Sequence, residues 1–264
     1  MKEININELK EIQLEIMDYV HAFCIKHEIN YWIDNGTLLG AIRHGGYIPW
    51  DDDIDIGMLR EDYDRFLKLF NQSSDKYKVY SIENKRDFMY PFAKVLDLDT
   101  VIYEPNEEGI KIAINIDVFV YDNAPDDLEY VKKMYKKRDK YNKYYHFLLY
   151  KTKIKSEGKF SLIKDVCKGA LEKISPAFLC KKIIKNSKRF CNFETTKVGN
   201  FTSISKIYCD KKLVSTSIDV KFEDRVYKAP AGYDEWLRAF YGDYMELPPK
   251  EKQISHHLYK AYVK

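Results

Sequence analysis

Three aspartates, Asp51, Asp53 and Asp55, occupy alternate positions in a short acidic run, with isoleucines at 54 and 56. This alternation of polar and apolar residues predicts a β-strand with one buried face. On such a strand Asp53 and Asp55 point to the same side, where they repel each other unless a cation lies between them. Because carboxylate oxygens are ligands that Mg²⁺ and Mn²⁺ prefer, we interpret the run as a divalent-metal site.

Two further features fit chemistry on a phosphate. Gly36 and Thr37 follow a short apolar stretch, and a helix that begins at such a turn points free N–H groups outward toward an anion. Arg43, near the end of that helix, can pair with two phosphate oxygens. Asp117, at the end of another alternating stretch, can supply a third carboxylate. There are alternative interpretations of these features. Gly36 and Thr37 could form an ordinary turn, and Arg43 could be a charge that only interacts with the negative end of the helix dipole.

Hydrophobic periodicity predicts the elements that must position these side chains. The pattern predicts helices over 7–27, 38–43, 60–71 and 233–241, strands at 31–33, 53–56, 77–82, 92–97, 100–103 and 111–119, and a hairpin around 220–226. This order predicts an α+β fold, a mixed β-sheet with helices packed on it. We divide the chain into a catalytic core (1–125), a basic helical insertion (126–197) and C-terminal strands and a helix that complete the core (198–264).

Charge is distributed unevenly along the 264 residues, whose net charge is only +3. Residues 131–189 contain 19 Lys or Arg against four acidic residues. Such a segment fits an acceptor that is charged or lipid-linked at an anionic membrane surface, and it fits a solvated helical face equally well. Since no nucleic-acid-binding motif accompanies it, we expect no nucleic acid partner.

Several classes of protein are excluded by composition. No run of about 18 apolar residues is present, and the N-terminus lacks the pattern of a signal peptide. We therefore expect a cytoplasmic protein, with the inner face of the membrane as a further place of action. The five cysteines are scattered and include no Cys-x-x-Cys pair. This spacing predicts neither a disulfide framework nor a zinc site.

One long passage, from Trp32 to Met58, closely resembles the signature of the LicD family. That family includes bacterial phosphocholine transferases and, more distantly, fukutin and fukutin-related protein, and its members look like nucleotidyltransferase-fold proteins. Shorter matches lie at 91–95, 116–119, 230–237, 241–244 and 248–250. The resemblance covers roughly 30–122 and 226–257, whereas the basic middle of the chain matches nothing that we can name.

Carried over to this sequence, the resemblance implies metal binding by Asp53 and Asp55 with Asp117 as the third carboxylate. It places Gly36 and Thr37 against the phosphate of the donor.

The resemblance also draws attention to three side chains outside this set. Lys94 becomes a candidate contact to phosphate or substrate, and Asp51 could assist the metal through water. Asp243, in a Tyr-Gly-Asp sequence, is typical of the family. Its role does not follow from its chemistry, and a turn or capping carboxylate is an equal alternative.

The activity that the resemblance implies is transfer of phosphocholine from CDP-choline to a hydroxyl of a cell-surface glycan, such as lipopolysaccharide or teichoic acid, or of its lipid-linked precursor. Choline would call for an aromatic cage, for which Tyr47, Trp50, Tyr90 and Trp236 lie near the motifs. Whether Asp117 orients the acceptor, takes its proton or binds the metal stays open. The alternatives are a nucleotidyltransferase that releases pyrophosphate, a nucleotide-sugar glycosyltransferase and a non-catalytic binding module.

Overall fold

The computed structural model describes residues 1–103, 111–150, 175–254 and 260–264. Within these ranges the helices are Ile6–Lys26 (α1), Asn35–His44 (α2), Arg60–Leu69 (α3), Leu128–Tyr150 (α4), Pro176–Ser187 (α5) and Tyr233–Tyr241 (α6). The strands are Lys2–Ile4 (β1), Trp32–Ile33 (β2), Asp55–Leu59 (β3), Tyr77–Tyr80 (β4), Ala93–Asp97 (β5), Thr100–Tyr103 (β6), Lys111–Ile112 (β7), Asn115–Ala124 (β8), Lys197–Asn200 (β9), Ile207–Asp210 (β10), Ser217–Phe222 (β11), Arg225–Pro230 (β12) and Lys260–Val263 (β13).

The main sheet is built around the long strand β8. One edge of β8 pairs in parallel with β3, and β3 pairs in turn with β2. The other edge of β8 pairs first with β5 and then, toward its end, with β9. Strands β4 and β10 extend the sheet beyond β5 and β9. Helices and a mixed sheet together confirm the predicted α+β class.

Helix α1 covers one side of this sheet. Asn5 caps it by accepting from the backbone N–H of Glu8, whose side chain accepts in return from the backbone N–H of Asn5. Its buried face includes Leu9, Ile16 and Val20 at helical spacing. The predicted helix over 7–27 is therefore confirmed to within one residue at each end.

A second sheet and a hairpin flank the main sheet. The order of the second sheet is β1-β13-β6-β7. Strands β11 and β12 form the predicted hairpin, and its tip rests on the end of α2. There the backbone N–H of Glu223 donates to the carbonyl of Gly45 at 2.8 Å, and the Glu223 side chain accepts from the backbone N–H of Tyr47 at 2.9 Å. The hairpin thus fixes the loop that leads into the acidic run.

Three predicted boundaries were wrong, because the local pattern does not fix the residue at which an element begins or the sheet that a strand joins. The acidic strand begins at Asp55 rather than at residue 53, so Asp53 lies just before the strand. Helix α2 begins at Asn35, which places Gly36 and Thr37 in its first turn rather than before it. The strand predicted over 111–119 is divided between two sheets, because the N–H of Ile114 donates to the Thr100 hydroxyl at 2.8 Å.

The basic helices α4 and α5 pack on each other and attach to the end of β8. Asp122 on β8 forms an ion pair with Arg60 at 2.7 Å and accepts a hydrogen bond from Ser187 on α5. Residues 151–174 of the basic segment lie outside the described residues, and the boundaries proposed for the insertion stay a prediction. The cysteines that the structure describes are free. In the described ranges no helix combines the length and apolar character needed to cross a membrane.

Candidate active site

A row of three charged side chains crosses the main sheet near the start of β8. Asp117 on β8 is in register with Asp55 on β3 and with Lys94 on β5. Residues in register on adjacent strands point to the same face, so the three side chains stand side by side. The Lys94 ammonium forms an ion pair with Asp117 and donates to Asn115 Oδ1 at 3.0 Å. Two carboxylates and one ammonium therefore share this face.

The environment of Asp55 is strongly unfavourable for its charge. The side chain is buried, and this desolvation is the largest cause that raises its pKa well above the ordinary value. The negative charges of Asp53, Asp117 and Asp34 raise the pKa further, while a hydrogen bond from the Asn35 side chain opposes the rise. Asp53 therefore lies close enough to act on Asp55 although it precedes the strand. Like charges converge here without a matching number of cations among the side chains that act on Asp55.

The first turn of α2 is joined directly to the acidic segment. The hydroxyl of Thr37 accepts a hydrogen bond from the backbone N–H of Asp55 at 2.8 Å, and Thr37 is buried. A Cβ at Gly36 would stand 2.7 Å from Asp51 Oδ2, so glycine is what lets this carboxylate lie against the helix start. Contact of Gly36 and Thr37 with a phosphate stays a prediction; the structure shows that they position Asp51 and Asp55.

Two residues before this turn were missed by the sequence analysis. Asp34 is fully buried and accepts a hydrogen bond from the Tyr121 hydroxyl at 2.7 Å. Burial raises the pKa of Asp34 to about 7, although the Tyr121 hydrogen bond works against the rise. Asn35 has a φ of 45°, a left-handed conformation that asparagine tolerates better than most residues. A polar pair directly after the buried residues Trp32 and Ile33 was the available signal.

The geometry of the described side chains fits the predicted metal site in one respect and not in another. Among the residues that the structure describes, no group of three or more His, Cys, Asp or Glu side chains is arranged to hold a metal ion. Mg²⁺, however, is commonly bound by one or two carboxylates together with substrate phosphates and water rather than by a complete cage of protein ligands. The oxygen donors of Asp53 and Asp55, and the charge repulsion at Asp55, fit an ion bound in that manner.

Two cavities open beside the carboxylates. The smaller, of about 110 Å³, is lined by polar side chains that include Asp53, Lys94, Asn115 and Asp117. The larger, of about 580 Å³, lies between α2 and the segment that follows α6, and we call it the α2 cleft. Its lining comprises Gly36, Leu39, Arg43, Ile48, Trp50, Asp51, Tyr241, Asp243, Tyr244, Glu246, Leu247, Pro248 and Pro249. Both cavities are next to the acidic run, since Asp51 lines the larger and Asp53 the smaller.

Arg43 holds one wall of the α2 cleft in place. Its Nη1 donates to the carbonyl of Tyr244 at 2.9 Å and to that of Glu246 at 3.3 Å, and its Nε donates to His44 at 2.9 Å. A contact between Arg43 and phosphate stays a prediction, whereas its structural role is visible. Asp243 is exposed at the same wall.

Tyr241 connects the cleft to the carboxylates and was not singled out from the sequence. Desolvation is the largest cause of its raised pKa, followed by the charges of Asp34, Asp55, Asp51 and Asp53. The phenol therefore stands within electrostatic reach of these four carboxylates. Its place at the end of α6, far from the acidic run in sequence, left no local signal.

A known protein resembles this chain over all of its length, and others resemble parts of it. Residues 28–160 match the family described as LicD/FKTN/FKRP, nucleotidyltransferase domain. The lipopolysaccharide cholinephosphotransferase LicD of Haemophilus influenzae is 33% identical over 275 residues, covering 100% of both chains. The human ribitol 5-phosphate transferase FKRP is 56% identical over 75 residues, which cover 28% of this chain and 14% of that protein. An uncharacterized Rickettsia typhi protein, RT0683, is 33% identical over 51% of this chain and 41% of its own length.

Proposed function

The chain belongs to the LicD family, whose members transfer phosphate-linked groups, and from that premise we propose that it transfers phosphocholine from CDP-choline to a hydroxyl of a cell-surface glycan or its lipid-linked precursor. The relative that matches over its full length is a cholinephosphotransferase, which favours phosphocholine over ribitol phosphate as the transferred group. The observation that carries the proposal is the row formed by Asp55, Asp117 and Lys94 beside the buried start of α2.

In the proposed reaction the acceptor oxygen attacks the phosphorus that bears choline. A bond forms between these two atoms, the bond from that phosphorus to the bridging oxygen breaks, and CMP leaves with the electron pair. A Mg²⁺ or Mn²⁺ ion held by Asp53 and Asp55, with Asp117 in reach, would neutralise the diphosphate and stabilise the leaving group. Lys94 adds a fixed positive charge next to Asp117, which favours an anionic substrate at this face.

The small cavity is the proposed entrance for the acceptor hydroxyl. Asp53, Asp117 and Lys94 line it, so a hydroxyl inside would contact Asp117 while the donor phosphates lie toward Asp51 and Gly36. We assign Asp117 the task of orienting this hydroxyl and taking its proton as the new bond forms. Asn115 helps to hold Lys94 by accepting a hydrogen bond through its side-chain oxygen.

A purified-protein assay tests this function. CMP release from CDP-choline is measured with Mg²⁺, with EDTA, and in the Asp53→Asn and Asp55→Asn variants, next to the exposed control Asp99→Asn. We expect EDTA and either site variant to lower the rate at least about 100-fold, since charge stabilisation of the transition state is lost. The control should keep the wild-type rate.

Product analysis separates the remaining alternatives. Release of pyrophosphate from CTP would establish a nucleotidyltransferase, and transfer from a nucleotide sugar would establish a glycosyltransferase. Metal-independent CMP release, or equal rates in the site variants and the control, would contradict the proposed site. A protein that neither turns over nor is stabilised by CDP-choline, CDP-ribitol, CTP or UDP-sugars would contradict the transferase proposal as a whole.

We also propose that the basic helices contact an anionic membrane surface at which a lipid-linked acceptor is held. On α4, Lys133, Lys136, Lys137 and Lys140 are exposed, and α5 adds Lys181. Each exposed lysine near an anionic bilayer is worth about 1 kcal/mol of attraction. Sedimentation with phosphatidylglycerol vesicles should be salt-sensitive and weaker with phosphatidylcholine, and equal binding to both would contradict the proposal.

A further inference from the structure

The α2 cleft combines aromatic rings with carboxylates, a composition that suits a cation. Trp50, Tyr241 and Tyr244 supply the rings. Asp51, Asp243 and Glu246 supply three acidic side chains. Arg43 is the cationic residue of the lining, and its Nη1 and Nε atoms already donate to backbone carbonyls and to His44.

Two of the rings make contacts with neighbouring side chains that limit their movement. The Tyr244 hydroxyl donates to Asp234 Oδ1 at 2.7 Å, and the Tyr244 carbonyl accepts from Arg43 at 2.9 Å. The Trp50 ring stands perpendicular to the His44 ring, with 6.1 Å between their centroids. Rings that already make such contacts lose less conformational freedom when a ligand binds.

This chemistry distinguishes a quaternary ammonium group from other substituents. Such a group carries a positive charge but has no hydrogen to donate, so it is recognised by aromatic faces and nearby negative charge. A ribitol or glycerol substituent would instead call for hydrogen-bond partners directed at several hydroxyls. The rings, the three carboxylates and the apolar residues of the lining match the first case.

We infer that the α2 cleft is the site that binds the trimethylammonium group of the donor, with Trp50 and Tyr241 as its aromatic walls and Asp243 as a counter-charge. This inference rests on the proposed function, because it places one part of that donor. Asp51 contacts both the cleft and Gly36, and Tyr241 is acted on by the charge of Asp55. A donor whose phosphate lies at the acidic run can therefore extend its choline into the cleft.

The other three aromatic residues near the motifs make their contacts outside the α2 cleft. The Tyr47 ring packs on Phe222 at 5.0 Å, with the Lys10 ammonium 4.5 Å above it. Trp236 is fully buried in the core. Tyr90 lines the small cavity, where the Lys94 ammonium lies 4.8 Å from its ring centre. Of the four aromatic residues that the sequence suggested for a choline cage, Trp50 is thus the one that lines the α2 cleft.

Binding of CDP-choline and CDP-glycerol, measured by calorimetry with Mg²⁺, tests the inference. The variants are Trp50→Leu, Tyr241→Leu and Asp243→Asn, and the matched controls outside the cleft are Phe193→Leu and Glu251→Gln, both exposed. We expect wild-type protein and both controls to prefer CDP-choline about tenfold. The cleft variants should lose most of this preference while keeping their affinity for CMP. Since Asp243 is exposed, its variant tests the site without a folding defect.

Each outcome is decisive. Cleft variants that keep the wild-type preference for CDP-choline would overturn the inference and leave the proposed function standing. A wild-type protein that binds CDP-glycerol as tightly as CDP-choline would overturn the inference together with the choline part of the proposed function. Loss of CMP affinity in the Asp243→Asn variant would show that the cleft holds the nucleotide instead.

Discussion

Asp55 stands directly opposite Asp117 in the parallel ladder between β3 and β8. Two carboxylates on one face of a sheet, one of them buried, oppose folding in the absence of a cation. Lys94 compensates Asp117, whereas the charges that act on Asp55 are three further carboxylates. The site is therefore built at a cost in stability, and this cost is measurable.

Replacing Asp55 by Asn should stabilise the metal-free protein and abolish activity. At pH 8 in EDTA we expect the free energy of unfolding to rise by about 0.5–2 kcal/mol, because a buried charge facing like charges is removed. Asp117→Asn should stabilise less, since it also removes the partner of Lys94. Mg²⁺ should raise the melting temperature of the wild type and not of Asp55→Asn. Equal responses of both proteins to Mg²⁺ would contradict a metal at Asp55.

The hydroxyl of Thr37 is expected to matter for the position of Asp55. Thr37→Val keeps the shape but leaves the backbone N–H of Asp55 without its acceptor, which costs about 1–3 kcal/mol at a buried site. Thr37→Ser retains the acceptor and should lie close to wild type in both stability and activity. Chemical denaturation measures the difference, and a serine variant as unstable as the valine variant would point to packing of the methyl group instead.

Alanine substitutions at two glycines of α2 should have different effects, one on activity and the other on stability. A Cβ at Gly36 meets the side-chain oxygen Asp51 Oδ2 at 2.7 Å, and that side chain can move aside. At Gly40 a Cβ meets the backbone carbonyl of Gly46 at 2.4 Å, which cannot yield without moving the loop. Gly36→Ala should thus raise the KM for the donor with little loss of melting temperature, whereas Gly40→Ala should destabilise the fold. Comparable destabilisation by both would show that Asp51 is as constrained as the backbone.

The raised pKa of Asp34 should make the free energy of unfolding depend on pH. Its pKa in the folded chain is about 7, against about 3.9 in an unfolded chain. The folded state therefore binds the proton more tightly, so this contribution is complete below about pH 4 and is lost as the pH rises toward about 7. It amounts to about 4 kcal/mol, the product of the shift and the linkage constant. Unfolding curves of Asp34→Asn across this range should lack the decline, and curves parallel to wild type would contradict the assignment.

The elements that were predicted best from the sequence are those whose ends carry a local signal, such as a glycine or a capping residue. Helix α6 was predicted over 233–241 and occupies Tyr233–Tyr241, because Gly232 and Gly242 enclose a strongly amphipathic stretch. Helix α1 was accurate because Asn5 and Glu8 form a capping box. Strand β3 was placed two residues early, since alternation of polar and apolar residues carries no information about where the ladder to β8 begins.

The candidate site was predictable in its residue types and not in its arrangement. Asp53, Asp55 and Asp117 were named from pattern and resemblance, and in the structure the charges of Asp53 and Asp117 both act on Asp55. The register that sets Lys94 beside Asp117 depends on pairing between distant strands, which no local window contains. Tyr241 and Asp34 were missed for the same reason: their relation to the acidic run exists only after the chain has folded.

Arg43 binds the wall of the α2 cleft through main-chain carbonyls, at Tyr244 and Glu246. A hydrogen bond to a main-chain carbonyl does not depend on the side chain of the residue that supplies the carbonyl. Substitutions at Glu246 and Leu247, which line the cleft, therefore leave the anchor intact while they change the surface of the cleft. If the α2 cleft binds the substituent of the donor as inferred, single mutations in this short segment would change the group that is recognised, while the row of Asp55, Asp117 and Lys94 would stay as it is. Directed evolution toward a donor with a different substituent has its natural starting library here.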